Sequence, residues 1–296
     1  MKTKPSPLRF LGAAVFWILL AAGLYFISRT NYPLFHSIAD TATVFIATGV
    51  FVVVWNQRRI LDNHYYLFVG IAFLFFGFLD FMHMLGNRGM GVFPAYGNLG
   101  PTFYIASRYV LSVSLLLAPL FIRRKLNTGL TLAIYVAVSS LILLSVFTWR
   151  VFPVTFIENV GLTPFKVISD YVICLFLLAA ALLLLINRRA FDPKMLQLMV
   201  SSLIFSIATG LAFTLYSDPF GITNAVGHFF QIASFFLVYL AVVETALTRP
   251  QDILYRSLKQ RKEEVVQLNT ELEKVNLDLK HDISERKMAE EALSAS

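Results

Sequence analysis

Eight apolar runs, each about the length needed to cross a bilayer, dictate what this chain can become. They fall near residues 8–27, 34–55, 64–85, 102–122, 128–148, 164–186, 195–216 and 224–247. Roughly 20 residues at 1.5 Å per residue match a hydrocarbon core of about 30 Å. In that solvent every backbone N–H and C=O must be paired within the segment, which selects helices. Composition agrees, since 57% of the 296 residues are hydrophobic and only 15% charged, and 28 Phe with 12 Tyr exceed what a soluble domain of this length can hide. The first run follows a basic stretch but continues to Tyr25 without a small-residue cleavage motif, so it reads as a helix rather than a signal peptide. Pro101 and Pro164 stand at the starts of runs, where a missing N–H is harmless. The expected fold class is an all-α integral membrane protein.

Charge fixes the expected topology. Lys2, Lys4 and Arg9, then Arg58 and Arg59, then Arg123, Arg124 and Lys125, then Arg188, Arg189 and Lys194 occupy alternate connections, and a charged tail starts at Arg249. The positive-inside rule places these in the cytoplasm, with both termini inside and an even number of spans. The formal charge of +7 is uneven: residues 1–250 hold 17 Lys and Arg against 8 Asp and Glu, and residues 251–296 hold 8 against 10. The excess is topology signal, and no nucleic-acid partner is implied. Cys174 is alone, which excludes a disulfide framework and a multi-cysteine metal site; it reads as a small buried hydrophobe. The short connections leave no room for an extracellular domain.

The tail reads differently. Residues 1–249 form the expected transmembrane domain and 250–296 a cytoplasmic linker, in which Leu254, Leu258, Val265, Leu268, Leu272, Val275 and Leu279 recur at spacings of four and three, interrupted only by Arg261. That is the a/d seam of a coiled coil, clean from Val265 to Leu279, and helices leaving one membrane face in identical subunits run parallel, so a homodimer is expected. His281 precedes Asp282 without the arginine, threonine and proline expected around a phosphoacceptor histidine.

Ionisable groups inside apolar runs mark function, because each costs several kcal/mol unless paired. His36 and Asp40 lie in the second span, Asp80 and His83 in the third and His228 in the eighth. The topology puts all five roughly 3–9 Å below the outer boundary at 1.5 Å per residue. His36 with Asp40, and Asp80 with His83, are spaced to share a helix face. A carboxylate so placed can be a second ligand or can fix the tautomer of a ligating imidazole. His36, His83 and His228, with Asp40 or Asp80, suit a transition metal such as Zn, Cu, Fe or Ni, and two imidazoles suit a haem iron. Proton-sensitive polar networks and plain helix-packing hydrogen bonds are the alternatives. Tyr104 and Arg108 in the fourth span can balance the carboxylates, Asp170 pairs with Lys166 or joins them, and Glu244 and His64 read as interfacial. The eighth span leads straight into the tail, so a shift at His228 has a short covalent route to it.

The segments SRTNYPLFHSIAD, WNQRRILDNHYYLFVGIAFLFFGFLDFMHMLGNRGMGVF and GHFFQIASFFLVYLAVVETAL resemble, in order, the bacterial membrane-associated sensor domain of the third type over about residues 10–248. The matching positions are Asn31, His36, Asp40, Asn56, Asp80, His83, Gly89, Gly91, His228 and Glu244. The family more often has glutamate at 40, and lysines where this chain has Gln231 and Leu240. The resemblance implies a sensory input domain of the bacterial inner membrane, placed ahead of PAS, histidine kinase or diguanylate cyclase outputs, and DISERKMAEEAL resembles their connector. The chain stops at Ser296, where such an output would begin. The expected function is a non-enzymatic sensor of a small or membrane-soluble signal, a metal or a haem at the His/Asp site, acting within lipid and through the last span on a dimeric coiled coil. A transporter or proton conductor would need polar residues through the midplane, yet the inner halves of the second and third spans are apolar. A membrane oxidoreductase is the other alternative, and no HExxH hydrolase motif is present.

Overall fold

The computed structural model describes residues 7–59, 63–93, 99–158, 160–215, 221–243, 261–277, 279–280 and 283, apart from the side chains of 7–10, 13, 14 and 88. The chain divides into two units, Met1–Ala246 and Leu247–Ser296. The first contains α1 (Pro7–Thr30), α2 (Tyr32–Gln57), α3 (His64–Leu85), α4 (Leu99–Leu117), α5 (Thr128–Leu143), α6 (Pro164–Ile186), α7 (Pro193–Thr214) and α8 (Ile222–Val243). A 3-10 turn, Ala118–Phe121, prolongs α4, and a π turn, Leu144–Thr148, prolongs α5. Among the described residues the seven spans from α2 to α8 are long and apolar enough to cross a membrane, and α1 adds the apolar segment Val15–Thr30. The protein is an all-α membrane fold.

Polar side chains start these helices where the sequence places them. Asn31 Oδ1 accepts from Leu34 N at 3.1 Å, Asn63 Oδ1 from Tyr65 N at 2.9 Å, Asn127 Oδ1 from Leu130 N at 3.1 Å and Asp192 Oδ1 from Lys194 N at 2.9 Å. Each satisfies a helix N–H that has no intrahelical acceptor. Prolines occupy the first turns of α2, α6 and α7.

Helix contacts run α2 to α3, α3 to α4, α4 to α6, α6 to α7, α7 to α8 and α8 back to α2, a circuit of six, with α1 outside against α2 and α5 outside against α3. α3 is the most enclosed of the spans, and Phe76 stacks on Phe235 of α8 at 5.0 Å between ring centroids. Close approach needs glycine at two seams. A Cβ on Gly227 would run into the Phe213 ring between α8 and α7, and one on Gly86 would lie 2.8 Å from Leu99 Cβ where α3 meets α4.

The connection from α5 to α6 carries an element that periodicity did not foretell. β1 (Phe156–Ile157) pairs antiparallel with β2 (Gly161–Leu162), and Gly161 supplies the φ of +105° that L side chains rarely adopt. Thr155 is fully buried and shares a 3.2 Å hydrogen bond with Thr102 of α4, so the hairpin is tied to the bundle end. In the second unit residues 261–277 are helical, and Val265, Leu268, Leu272, Val275 and Leu279 are exposed. The expectations for Glu244, Leu254, Leu258 and His281 concern positions outside the described residues.

Candidate functional site

Six helices turn ionisable or hydrogen-bonding groups toward one end of the bundle interior, the end where α2, α4, α6 and α8 begin and α3 and α7 finish. His36 lies one turn into α2, Asp40 one turn further, His83 in the last turn of α3, and His228 in the second turn of α8. All four side chains are buried. Sequence depth alone left their lateral positions open; packing of α2 against both α3 and α8 brings them together.

Asp40 is the centre. Its Oδ2 lies 2.9 Å from His36 Nδ1 and 3.4 Å from His83 Nε2, and its Oδ1 lies 3.6 Å from His228 Nδ1. The His36 ring is 5.2 Å from His83 and 4.6 Å from His228, centroid to centroid. Phe35 and Phe213 close the far side of His228 at 5.8 and 5.0 Å. Although the atoms are close, neither oxygen of Asp40 nor His228 Nδ1 makes a hydrogen bond of normal geometry. Buried polar atoms are usually paired, so a convergence of unpaired ones needs a physical reason.

Neighbouring groups assign two tautomers. The Gly100 carbonyl, which can only accept, sits 2.7 Å from His83 Nδ1, so that nitrogen carries a proton. Nε2 of a neutral His83 then presents its lone pair to Asp40. Asn87 Oδ1 accepts from Gly89 N at 3.0 Å, which turns its amide nitrogen toward His36 Nε2 at 3.3 Å. His36 therefore accepts at Nε2 and carries its proton on Nδ1, toward Asp40.

Asp80 belongs to a separate pair. The i,i+3 spacing suggested that it shares a site with His83, but the carboxylate sits a turn deeper and meets α4 instead, with Oδ1 3.7 Å from Arg108 Nη2 and accepting from Ser107 Oγ at 3.4 Å. His83, at the helix end, reaches α2 and the start of α4. Arg108 is walled by the rings of Phe76, Tyr104 and Phe235 at 5.0, 5.2 and 5.4 Å. Tyr104 packs its edge against His83 at 5.8 Å and borders the cluster without joining Asp40.

On α6, Lys166 Nζ lies 2.6 Å from Asp170 Oδ2 and also donates to the Phe213 carbonyl, while Thr214 Oγ1 donates to Asp170 at 3.4 Å. Of the two readings of Asp170, the pair with Lys166 is the one the side chains adopt. Gln231 donates to Thr43 of α2 at 3.1 Å, and Ser234 bonds to Ser202 and Ser206 of α7, so α8 is held on both flanks by polar contacts. Cys174 is buried against the Gly210 position.

Sequence reasoning missed Asn87, Ser107, Thr43 and the Gly100 carbonyl. The first three lie within a turn or so of an ionisable residue, a usable signal, whereas a backbone carbonyl leaves none. Comparison with known proteins gave no match among curated proteins and none among solved structures. A family model does match, MASE3, the membrane-associated sensor domain, over residues 27–250. That match takes in every helix that lines the site, and the chain belongs to this family of membrane-associated sensor domains.

Proposed function

We propose that the constellation centred on Asp40 is the input site of this sensor domain and that α8 is its output lever. The observation that carries the reading is the convergence of imidazoles from α2, α3 and α8 on one buried carboxylate, at 2.9, 3.4 and 3.6 Å. A ligand that binds those groups tightens or loosens α8 against α2 and α3. It can shift the equilibrium between two helix arrangements only as far as its affinities for the two differ. The chain runs from α8 into the heptad segment, where a change of packing is passed to a second, parallel copy. In this reading the site faces the outer leaflet of the bacterial inner membrane, both termini are cytoplasmic, the partner acted upon is a PAS, kinase or cyclase module, and the chain has no catalytic activity of its own.

Disulfide trapping in membrane vesicles tests the lever. In a Cys174→Ser background, Leu272→Cys at the seam is expected to cross-link two subunits readily and Thr270→Cys, on the outer face of the same helix, to cross-link poorly. His228→Ala is expected to change the Leu272→Cys rate severalfold. Equal trapping at 270 and 272 would remove the coiled coil, and a rate indifferent to His228 would remove the lever.

A further inference from the structure

Three buried carboxylates lie within the described bundle, and two of them face a basic side chain: Asp80 has Arg108 at 3.7 Å and Asp170 has Lys166 at 2.6 Å. Asp40 is fully buried and is ringed only by imidazoles. A neutral imidazole does not cancel a carboxylate charge. His83, with its Nδ1 proton committed to the Gly100 carbonyl at 2.7 Å, turns the lone pair of a neutral ring on Asp40 Oδ2 at 3.4 Å, acceptor against acceptor. Asp40 Oδ1 and His228 Nδ1 face each other at 3.6 Å without a hydrogen bond.

The geometry points to a divalent first-row transition cation held by His36, Asp40 and His228, with His83 Nε2 within reach as a fourth donor. This rests on the reading of the Asp40 cluster as the input site and names the chemistry of its ligand. One donor atom from each of His36, Asp40 and His228 lies within 4.8 Å of the other two. Bonds of about 2.0–2.2 Å set neighbouring donors about 3–3.5 Å apart in tetrahedral or tetragonal sites. His36 Nδ1 and His83 Nε2, at 2.9 and 3.4 Å from Asp40 Oδ2, stand close to that spacing, and His228 Nδ1, 3.6 Å from the other oxygen, comes into the same shell when the carboxylate and the ring turn toward a shared ion. Imidazole with carboxylate suits Zn2+, Cu2+, Ni2+ or Fe2+, and the hydrogen bond from His83 Nδ1 to a carbonyl is the outer-shell contact that orients a ligating ring.

Two details narrow the ligand. The edge-to-face packing of His36 and His228 at 4.6 Å leaves no slot for a flat macrocycle between them, so a haem does not fit. Ligation through His36 Nδ1 moves that ring's proton to Nε2, where Asn87 must turn its amide to accept it, releasing Gly89 N at the exposed turn. Cation binding is thereby linked to the α3–α4 connection as well as to α8.

The test uses the full chain in lipid nanodiscs, stripped with chelator and then loaded separately with Zn2+, Cu2+ and Co2+. One equivalent of Zn2+ or Cu2+ per chain is expected after removal of free ion, with visible d–d absorption for Co2+. Asp40→Asn and His228→Gln are expected to weaken binding at least tenfold, and Asp170→Asn, in the pair with Lys166, to leave it unchanged. Should one variant fail to fold, the other and the Co2+ spectrum of the unaltered chain still decide. A folded chain that retains none of the three ions, or variants that bind as well as the parent, overturn the proposal. The Leu272→Cys trapping rate, measured without metal, separates the two readings. A rate that responds to His228→Ala in a chain that binds no cation overturns the cation alone.

Discussion

Breaking the pair between Asp80 and Arg108 tests the division of charge on which the site rests. The two groups are 3.7 Å apart and buried, and two unit charges at that distance attract by about 4.5 kcal/mol at an effective dielectric of about 20. Arg108→Met leaves Asp80 uncompensated, so a loss of about 3–5 kcal/mol is expected. Asp80→Asn leaves the guanidinium unpaired but still against the rings of Phe76, Tyr104 and Phe235 at 5.0–5.4 Å. Such contacts are worth about 2 kcal/mol each when desolvated, so the second loss should be smaller. The double variant removes both charges and should recover much of the stability. Reversible unfolding by SDS in bicelles, run on the parent, both singles and the double, gives the coupling energy directly. A value above about 2 kcal/mol is expected for groups in contact, and additivity within about 0.5 kcal/mol would show that Arg108 does not neutralise Asp80, undoing the assignment that leaves Asp40 to its imidazoles.

Two further outcomes follow from packing. Gly227→Ala drives a Cβ into the Phe213 ring, and overpacking of this kind costs about 1–3 kcal/mol; adding Phe213→Leu should restore stability, and failure to do so would place the strain elsewhere. Lys166→Met strands Asp170, buried and left with Thr214 at 3.4 Å, at a cost of about 3–5 kcal/mol, whereas Lys166→Met with Asp170→Leu should unfold close to the parent in the same SDS titration.

The spans were legible because the bilayer permits one backbone solution, and the apolar runs near 34–55, 64–85 and 164–186 became α2, α3 and α6 with ends shifted by a few residues at most. That His36, Asp40, His83 and His228 share one level of the bundle was legible for the same reason, since distance from a span's end converts chain position into height along it. Which ionisable groups meet was less so. Asp80 and His83 share a face by spacing, but side-chain reach at the end of α3 sends one to α2 and the other to α4. Helix neighbours depend on seams such as Gly227 against Phe213, a contact between residues distant in sequence that periodicity does not encode. The hairpin at Phe156–Leu162 escaped notice because its strands of two residues carry no periodic signal.

In the proposed mechanism Asp40, and not merely any buried carboxylate, is coupled to the tail. Pulsed electron paramagnetic resonance between nitroxides at Thr270→Cys on two subunits, in a Cys174→Ser background in nanodiscs, compares the parent with Asp40→Asn and with the equally enclosed Asp170→Asn. Asp40→Asn is expected to shift or split the intersubunit distance distribution, while Asp170→Asn leaves it in place. Three superimposable distributions, or the same displacement for both variants, would contradict it.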